Sequence, residues 1–254
     1  MTFDRLDAEL ARWAERGRAA TLWWRDDDAV AMTPALAPLL ELARAHEVPV
    51  ALAVVPASLE GSLVTAVATA PQCTIVQHGY AHRNHAPAGA KSCELGGDRS
   101  LGIVVAELRA GSERLRTAFG TRFEPVLVPP WNRIDSHVVA ALPAQGFAGV
   151  STFGPRTCRD AAPGVVRCNA HADPIAWRDA RRFIGAERAL NAVLEHLAQR
   201  RQGDVDPDEP TGLLTHHLVF DVEGWRFVGE LLARTRRHSA ARWMSVVEAV
   251  NRPP

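Results

Sequence analysis

Lysine is almost missing from this chain: Lys91 is the only one among its 254 residues, and the other basic residues are all arginine. Lys+Arg and Asp+Glu each total 29, so there is no net charge, and the pI lies near 7.2. Without a basic excess, neither non-specific nucleic-acid binding nor attraction to a polyanionic membrane is expected. Long apolar runs are lacking too, and none approaches the roughly 18 residues that a membrane span needs. Residues 1–17 are charged throughout and carry no apolar segment of the secretory kind. A cytoplasmic location is therefore expected. Cysteine is sparse and scattered: Cys73, Cys93, Cys158 and Cys168 show no CxxC spacing, which argues against a zinc knuckle or a disulfide framework. No repeat or low-complexity tract stands out.

What is present is ordinary for a globular chain, with 47% apolar and 23% charged residues. The length suits one domain over residues 1–254. Short apolar runs at 21–24, 48–55, 74–77, 126–128, 149–153, 165–168 and 213–218 read as strands. Helical spacing fills 34–46, 101–119, 186–201 and 225–236, and polar loops cover 83–100 and 203–210. This alternation predicts an α/β fold built on a parallel sheet, closed or nearly closed into a (β/α) barrel. An open doubly wound parallel sheet is the alternative.

Polar residues gather where these strands end. Asp26, Asp27 and Asp28 follow the first, His78 and His82 the third, and Trp131, Asn132 and Arg133 the fourth. His171 and Asp173 follow the sixth, and His216 and His217 end the last. In parallel α/β folds that rim is where ligands bind. Taken singly, each cluster has a plain explanation. Three aspartates can form a solvated turn or cap a helix, and a bare HxxxH pair is weak. Together they are more specific, because adjacent carboxylates repel unless a cation is near. Two histidines at i, i+4 on a helical turn face the same way and, with one carboxylate, make a usual catalytic metal set. On a strand the rings of His216 and His217 would point to opposite sides, so one faces the site and the other packs.

In this order the segments resemble the polysaccharide deacetylases, the NodB-like carbohydrate esterases of family 4. The likeness runs from about residue 20 to residue 220. Arg25-Asp26-Asp27-Asp28-Ala29 is similar to the family's TFDDG motif, and His78-Gly-Tyr-Ala-His82 to its H-[ST]-x-x-H motif. Val128-Pro-Pro-Trp131 resembles RxPY, Asp173 the aspartate of the fourth motif, and Leu214-Thr-His216 the Leu-x-His of the fifth. The resemblance implies a distorted, incomplete (β/α)7 barrel. It implies a divalent metal on Asp28, His78 and His82, with Asp27 as base, or Asp26 if the register slips. It implies His216 as the acid, held by Asp173. Zinc is the expected metal; cobalt, manganese, iron and nickel are compatible.

The departures are also informative. The motif-three arginine is Val128 here, so Arg25 or Arg133 has to stand beside the base. The residue after the first metal histidine is Gly79. His85 and Glu94 have no family counterpart, and His85 is either a third imidazole near the metal or a loop residue. Trp131, Asn132, Arg133, Leu214 and His85 are the expected substrate contacts, with Trp131 and Leu214 walling a small acyl pocket. The resemblance implies N-deacetylation, and with a cytoplasmic location the expected substrate is an intracellular N-acetylated sugar or sugar-containing compound. The alternatives are hydrolysis of a small cyclic amide, or a catalytically silent barrel that binds metal or sugar.

Overall fold

The computed structural model describes residues 3–179 and 181–251. Nine strands and eight helices are found among them: α1 (Asp4–Glu15), β1 (Ala20–Ala29), α2 (Ala37–His46), β2 (Val50–Val54), α3 (Gly61–Ala68), β3 (Cys73–His78), α4 (Leu101–Phe119), β4 (Phe123–Val128), α5 (Ser136–Ala141), β5 (Gly149–Val150), β6 (Asp160–Ala162), β7 (Val165–Arg167), α6 (Ala186–Gln202), β8 (Thr211–Thr215), α7 (Val222–Arg237), β9 (Ala241–Trp243) and α8 (Val246–Asn251). The sheet order is β6-β7-β5-β4-β3-β2-β1-β8, with β9 also on β1. All pairs are parallel except β6 with β7.

Sequential order with β8 beside β1 is barrel order, not the reversing order of a doubly wound sheet. The sheet does not close. Beyond β7 the chain reaches β8 through a bridge between Ala172 and Leu213, with Ala172 N donating to Gly212 O and Leu214 N to Ala172 O. All seven expected strands are present. The β6 hairpin arm and β9 are additional, each too short to carry a periodic signal.

Alternation along the strands explains the packing. Leu22, Trp24, Leu52 and Val54 join the outer helices in one core, while Trp23, Ala51, Ala53 and Val126 face the other way against Val246, Ala249 and Val250 of α8. The helix α4 buries Val104, Leu108, Gly111, Ser112, Leu115 and Phe119, one face at three-to-four spacing.

Two strand ends differ from expectation. β1 does not stop at Trp24 but runs through the aspartates to Ala29, and its register against β2 shifts between Asp26 and Ala29. Charged residues can be buried there because each has a partner of opposite sign. β8 stops at Thr215, so His216 and His217 lie beyond the strand rather than on opposite faces of it.

Candidate active site

The bulge in β1 sorts three consecutive carboxylates into three environments. Asp26 is fully buried and its oxygens are all engaged. Thr215 Oγ1 donates to its Oδ2 at 2.6 Å, His217 N donates to the same oxygen at 3.1 Å, and His217 Nδ1 donates to Oδ1 at 2.5 Å. Both Asp26 oxygens are thus already accepting hydrogen bonds from the segment that follows β8 and from the last residue of that strand. Burial works against the His217 imidazolium, but the charge and hydrogen bond of Asp26 outweigh it and raise the ring's pKa.

Asp27 points the other way and meets Arg25. Arg25 Nη2 donates to Asp27 Oδ2 at 3.0 Å, and Nε lies 2.9 Å from Oδ1. The guanidinium is completely buried, and Nη1 and Nη2 also donate to Ser151 Oγ and Asn132 Oδ1, both at 2.7 Å. Arg25 therefore stands where a motif-three arginine was expected. Arg133 does not, because its Nη1 is spent on the carbonyl of Ser92 at 2.8 Å.

Asp28 adopts a left-handed φ of 71°, which turns its carboxylate toward β3. Its Oδ1 lies 3.2 Å from His78 Nε2 and 3.3 Å from His82 Nε2. The three ligand atoms lie within 4.8 Å of one another. His78 Nδ1 donates to Val128 O at 2.9 Å, which turns Nε2 toward Asp28. Burial pushes Asp28 up, yet the His78 hydrogen bond and the charges of His78, His82 and His216 hold it well below the usual carboxylate range. Two imidazoles and a carboxylate with half-open access fit a divalent metal by donor type and convergence.

No helical turn joins His78 to His82. The rings converge, 5.1 Å between centroids, because Gly79 and His82 both take positive φ values of 54° and 52°. Glu94 holds this loop. It is fully buried and accepts from Tyr80 N at 3.1 Å, Ala81 N at 2.8 Å and Arg83 N at 3.4 Å. A Cβ on residue 79 would stand 1.9 Å from Glu94 Oε2, so glycine is required there by space as well as by φ. From below, Gln77 Nε2 donates to Gly79 O and to Leu108 O of α4, and Gln77 Oε1 accepts from Ser112.

His216 Nε2 lies 3.9 Å from Asp27 Oδ2. Asp173 does not hold its other nitrogen: His216 Nδ1 is buried without a hydrogen-bond partner among the described residues. Asp173 instead accepts from Trp177 Nε1 at 2.6 Å, and the Trp177 ring meets His216 edge-on at 4.5 Å. Burial raises the Asp173 pKa, against the pull of His216 and Trp177.

Among the expected contacts, Trp131 tilts over His82 with 4.5 Å between centroids, and Leu214 is buried in register with Arg25. Trp131 and Asn132 both carry a positive φ of 56°, a strained pairing that aims one side chain at His82 and the other at Arg25. His85 is half-buried on its loop and outside the ligand group. His171 also falls away from the site. It stacks on His196 at 3.4 Å, accepts from Gly212 N at Nδ1, and lies 3.3 Å from Glu209. That trio meets the spacing of a metal group but not its chemistry. With Nδ1 accepting, His171 Nε2 carries the proton, and Glu209 already accepts from Arg156 N and Asn169 N. Trp177, Glu94 and Gln77 are the site residues that pattern reasoning did not assign.

No family model matches the chain, and no curated protein matches it by sequence. Solved structures do. A candidate polysaccharide deacetylase of Mycobacterium smegmatis superposes with a TM-score of 0.66 at 15% identity, over 91% of this chain and 89% of that one. A family 4 acetyl xylan esterase of Clostridium thermocellum in complex with a cobalt ion gives 0.56 at 12%, over 90% and 89%. The peptidoglycan deacetylase PdaC of Bacillus subtilis gives 0.58 at 11%, over 91% and 90%. The chain thus has the fold of the polysaccharide deacetylases, the NodB-like carbohydrate esterases of family 4.

Proposed function

We propose that this protein is a metal-dependent hydrolase of a carbon–nitrogen amide bond that removes the acetyl group from an intracellular N-acetylated sugar or sugar-containing compound. One observation carries the reading. Asp27, paired with the buried Arg25, is the chain neighbour of Asp28 in the Asp28–His78–His82 group and lies 3.9 Å from His216 Nε2. Asp28, His78 and His82 would hold the divalent metal, zinc by donor type, with cobalt, manganese, iron or nickel compatible. When bound, such a metal polarises an acyl oxygen and makes water more acidic.

The remaining work belongs to side chains. Asp27 accepts the proton of the attacking water at its carboxylate, while Arg25 neutralises its charge in a buried place. His216 donates a proton from Nε2 to the nitrogen as the C–N bond breaks, releasing acetate and an amine. Asp173 positions His216 through Trp177. Trp131, tilted over His82, offers an aromatic face to a sugar ring. The structural neighbours, two described as deacetylases and one as an acetyl xylan esterase, support acyl transfer to water. No helix among the described residues is long and apolar enough to cross a membrane.

The test is mass spectrometry of a metabolite extract incubated with zinc-replete wild-type protein and with Asp27→Asn. The expected result is one compound losing an acetyl mass, with acetate released, by the wild type alone. Unchanged products with Asp27→Asn would overturn the assignment of the base. A product heavier by one water would point to opening of a cyclic amide and overturn deacetylation.

A further inference from the structure

We infer that the cavity beside the candidate centre, walled by Lys91, Arg133 and Arg167, binds a phosphate group carried by the substrate. The cavity measures about 920 Å³ and reaches Asn132 and Thr152. Asn132 accepts from Arg25, which in turn pairs with Asp27, so the cavity wall is two side chains removed from the proposed base. An acetyl group is far too small to fill this volume, which lies in the range of whole small-molecule sites. The cavity thus suits the amine-bearing part of the substrate. That placement rests on the amide-hydrolase reading; the anion site itself does not.

Charge gives the ligand class. The lining carries three cations and one acid, Asp135, whose Oδ2 already accepts from Gly97 N at 2.9 Å. Most buried or half-buried arginines elsewhere are compensated: Arg25 by Asp27, Arg99 by Glu107, Arg156 by Asp206, Arg201 by Glu9. Arg167 ends β7 at the site's rim, and its Nε is buried with no hydrogen-bond partner among the described residues. No carboxylate among those residues pairs with it or with the exposed Lys91, and Arg133 spends one nitrogen on Ser92 O. A buried donor without an acceptor is costly, and an anion bound there removes the cost. Net charge of two positives favours a phosphate dianion over a carboxylate, with bidentate donation from the guanidinium groups. This also gives the single lysine of the chain a role. Ile134, Val139 and Val150, also in the lining, suit an apolar face of the scaffold.

Isothermal titration of metal-replete protein with glucose 6-phosphate, glucose and glucuronate tests this. Glucose 6-phosphate is expected to bind at least about tenfold more tightly than either neutral glucose or the glucuronate monoanion, and to weaken as salt rises. Arg167→Gln and Lys91→Gln should each weaken it about tenfold or more, whereas His78→Ala should not. Lys91 is exposed on a loop, so its variant keeps the test sound if Arg167→Gln fails to fold. Equal affinity of wild type and Lys91→Gln/Arg167→Gln would overturn the inference. So would glucuronate binding as tightly as glucose 6-phosphate, or binding lost only in His78→Ala. Glucose 6-phosphate bound as expected, with no amide in the extract hydrolysed, would sink the enzymatic reading and leave the anion site standing.

Discussion

Glu94→Gln probes how a buried carboxylate shapes the histidine loop. Glu94 accepts from three backbone N–H groups, two of them, Tyr80 and Ala81, at 3.1 and 2.8 Å. Glutamine keeps the volume but places an NH2 where an acceptor stood, so at least one donor faces another donor. Hydrogen bonds to a charged group contribute about 1.5–3 kcal/mol each. Loss of one and weakening of the others should cost about 2–4 kcal/mol, read as a lower urea midpoint at unchanged slope. Since native domains hold about 5–15 kcal/mol, the variant should still fold. The loop carries His82, so zinc affinity measured against a chromophoric chelator should fall about 10–100-fold, as for a residue that orients a ligand. Wild-type midpoint together with wild-type zinc affinity would refute the clamp.

Arg25→Met leaves Asp27 buried without its cation and should lower the free energy of unfolding by about 3–5 kcal/mol in denaturant titration; a loss below about 1 kcal/mol would mean water already screens the pair. His216→Ala should retain zinc while acetate release falls about 10²–10⁴-fold, and an active, zinc-loaded variant would exclude His216 as acid. His217→Ala strands Asp26 and should act on stability first, lowering the melting temperature with zinc still bound. Burial, with the His171 ring and Arg200 beside it, lowers the His196 pKa to about 2. The unfolded ring protonates near 6.5. Between those values the unfolded state binds more protons, so stability should fall as pH drops below about 6.5, by about 1.4 kcal/mol per unit. His196→Gln should flatten that slope in urea unfolding between about pH 4.5 and 7.5; an unchanged slope would show that His196 does not supply it.

Much of this architecture is legible in the residues. The runs around Val50, Ile75, Val126 and Val165 predict strands because parallel strands covered on both sides are apolar throughout. Residues 101–119 repeat at helical spacing and form α4 over that span. Interactions between distant segments are what periodicity misses. Arg25 to Asp28 lie inside a strand because Arg25, His217, Thr215 and His78 compensate them, and those partners come from β1, β3 and the end of β8. His82 reaches Asp28 through positive φ at two residues and a clamp from Glu94, 12 positions on, a pairing no local pattern encodes. The Asp173–His216 contact implied by the resemblance is interrupted by Trp177, which carries no signal of its own in the sequence.

Zinc bound per chain, measured by elemental analysis of wild type and of His78→Ala/His82→Ala after dialysis against trace zinc, tests the central claim most directly. The wild type should hold one zinc ion and the double variant none, because Asp28 alone cannot retain it. The His171–His196–Glu209 trio remains intact in that variant and provides the internal control. Stoichiometric zinc in the double variant would contradict the assignment of Asp28, His78 and His82 as the metal centre.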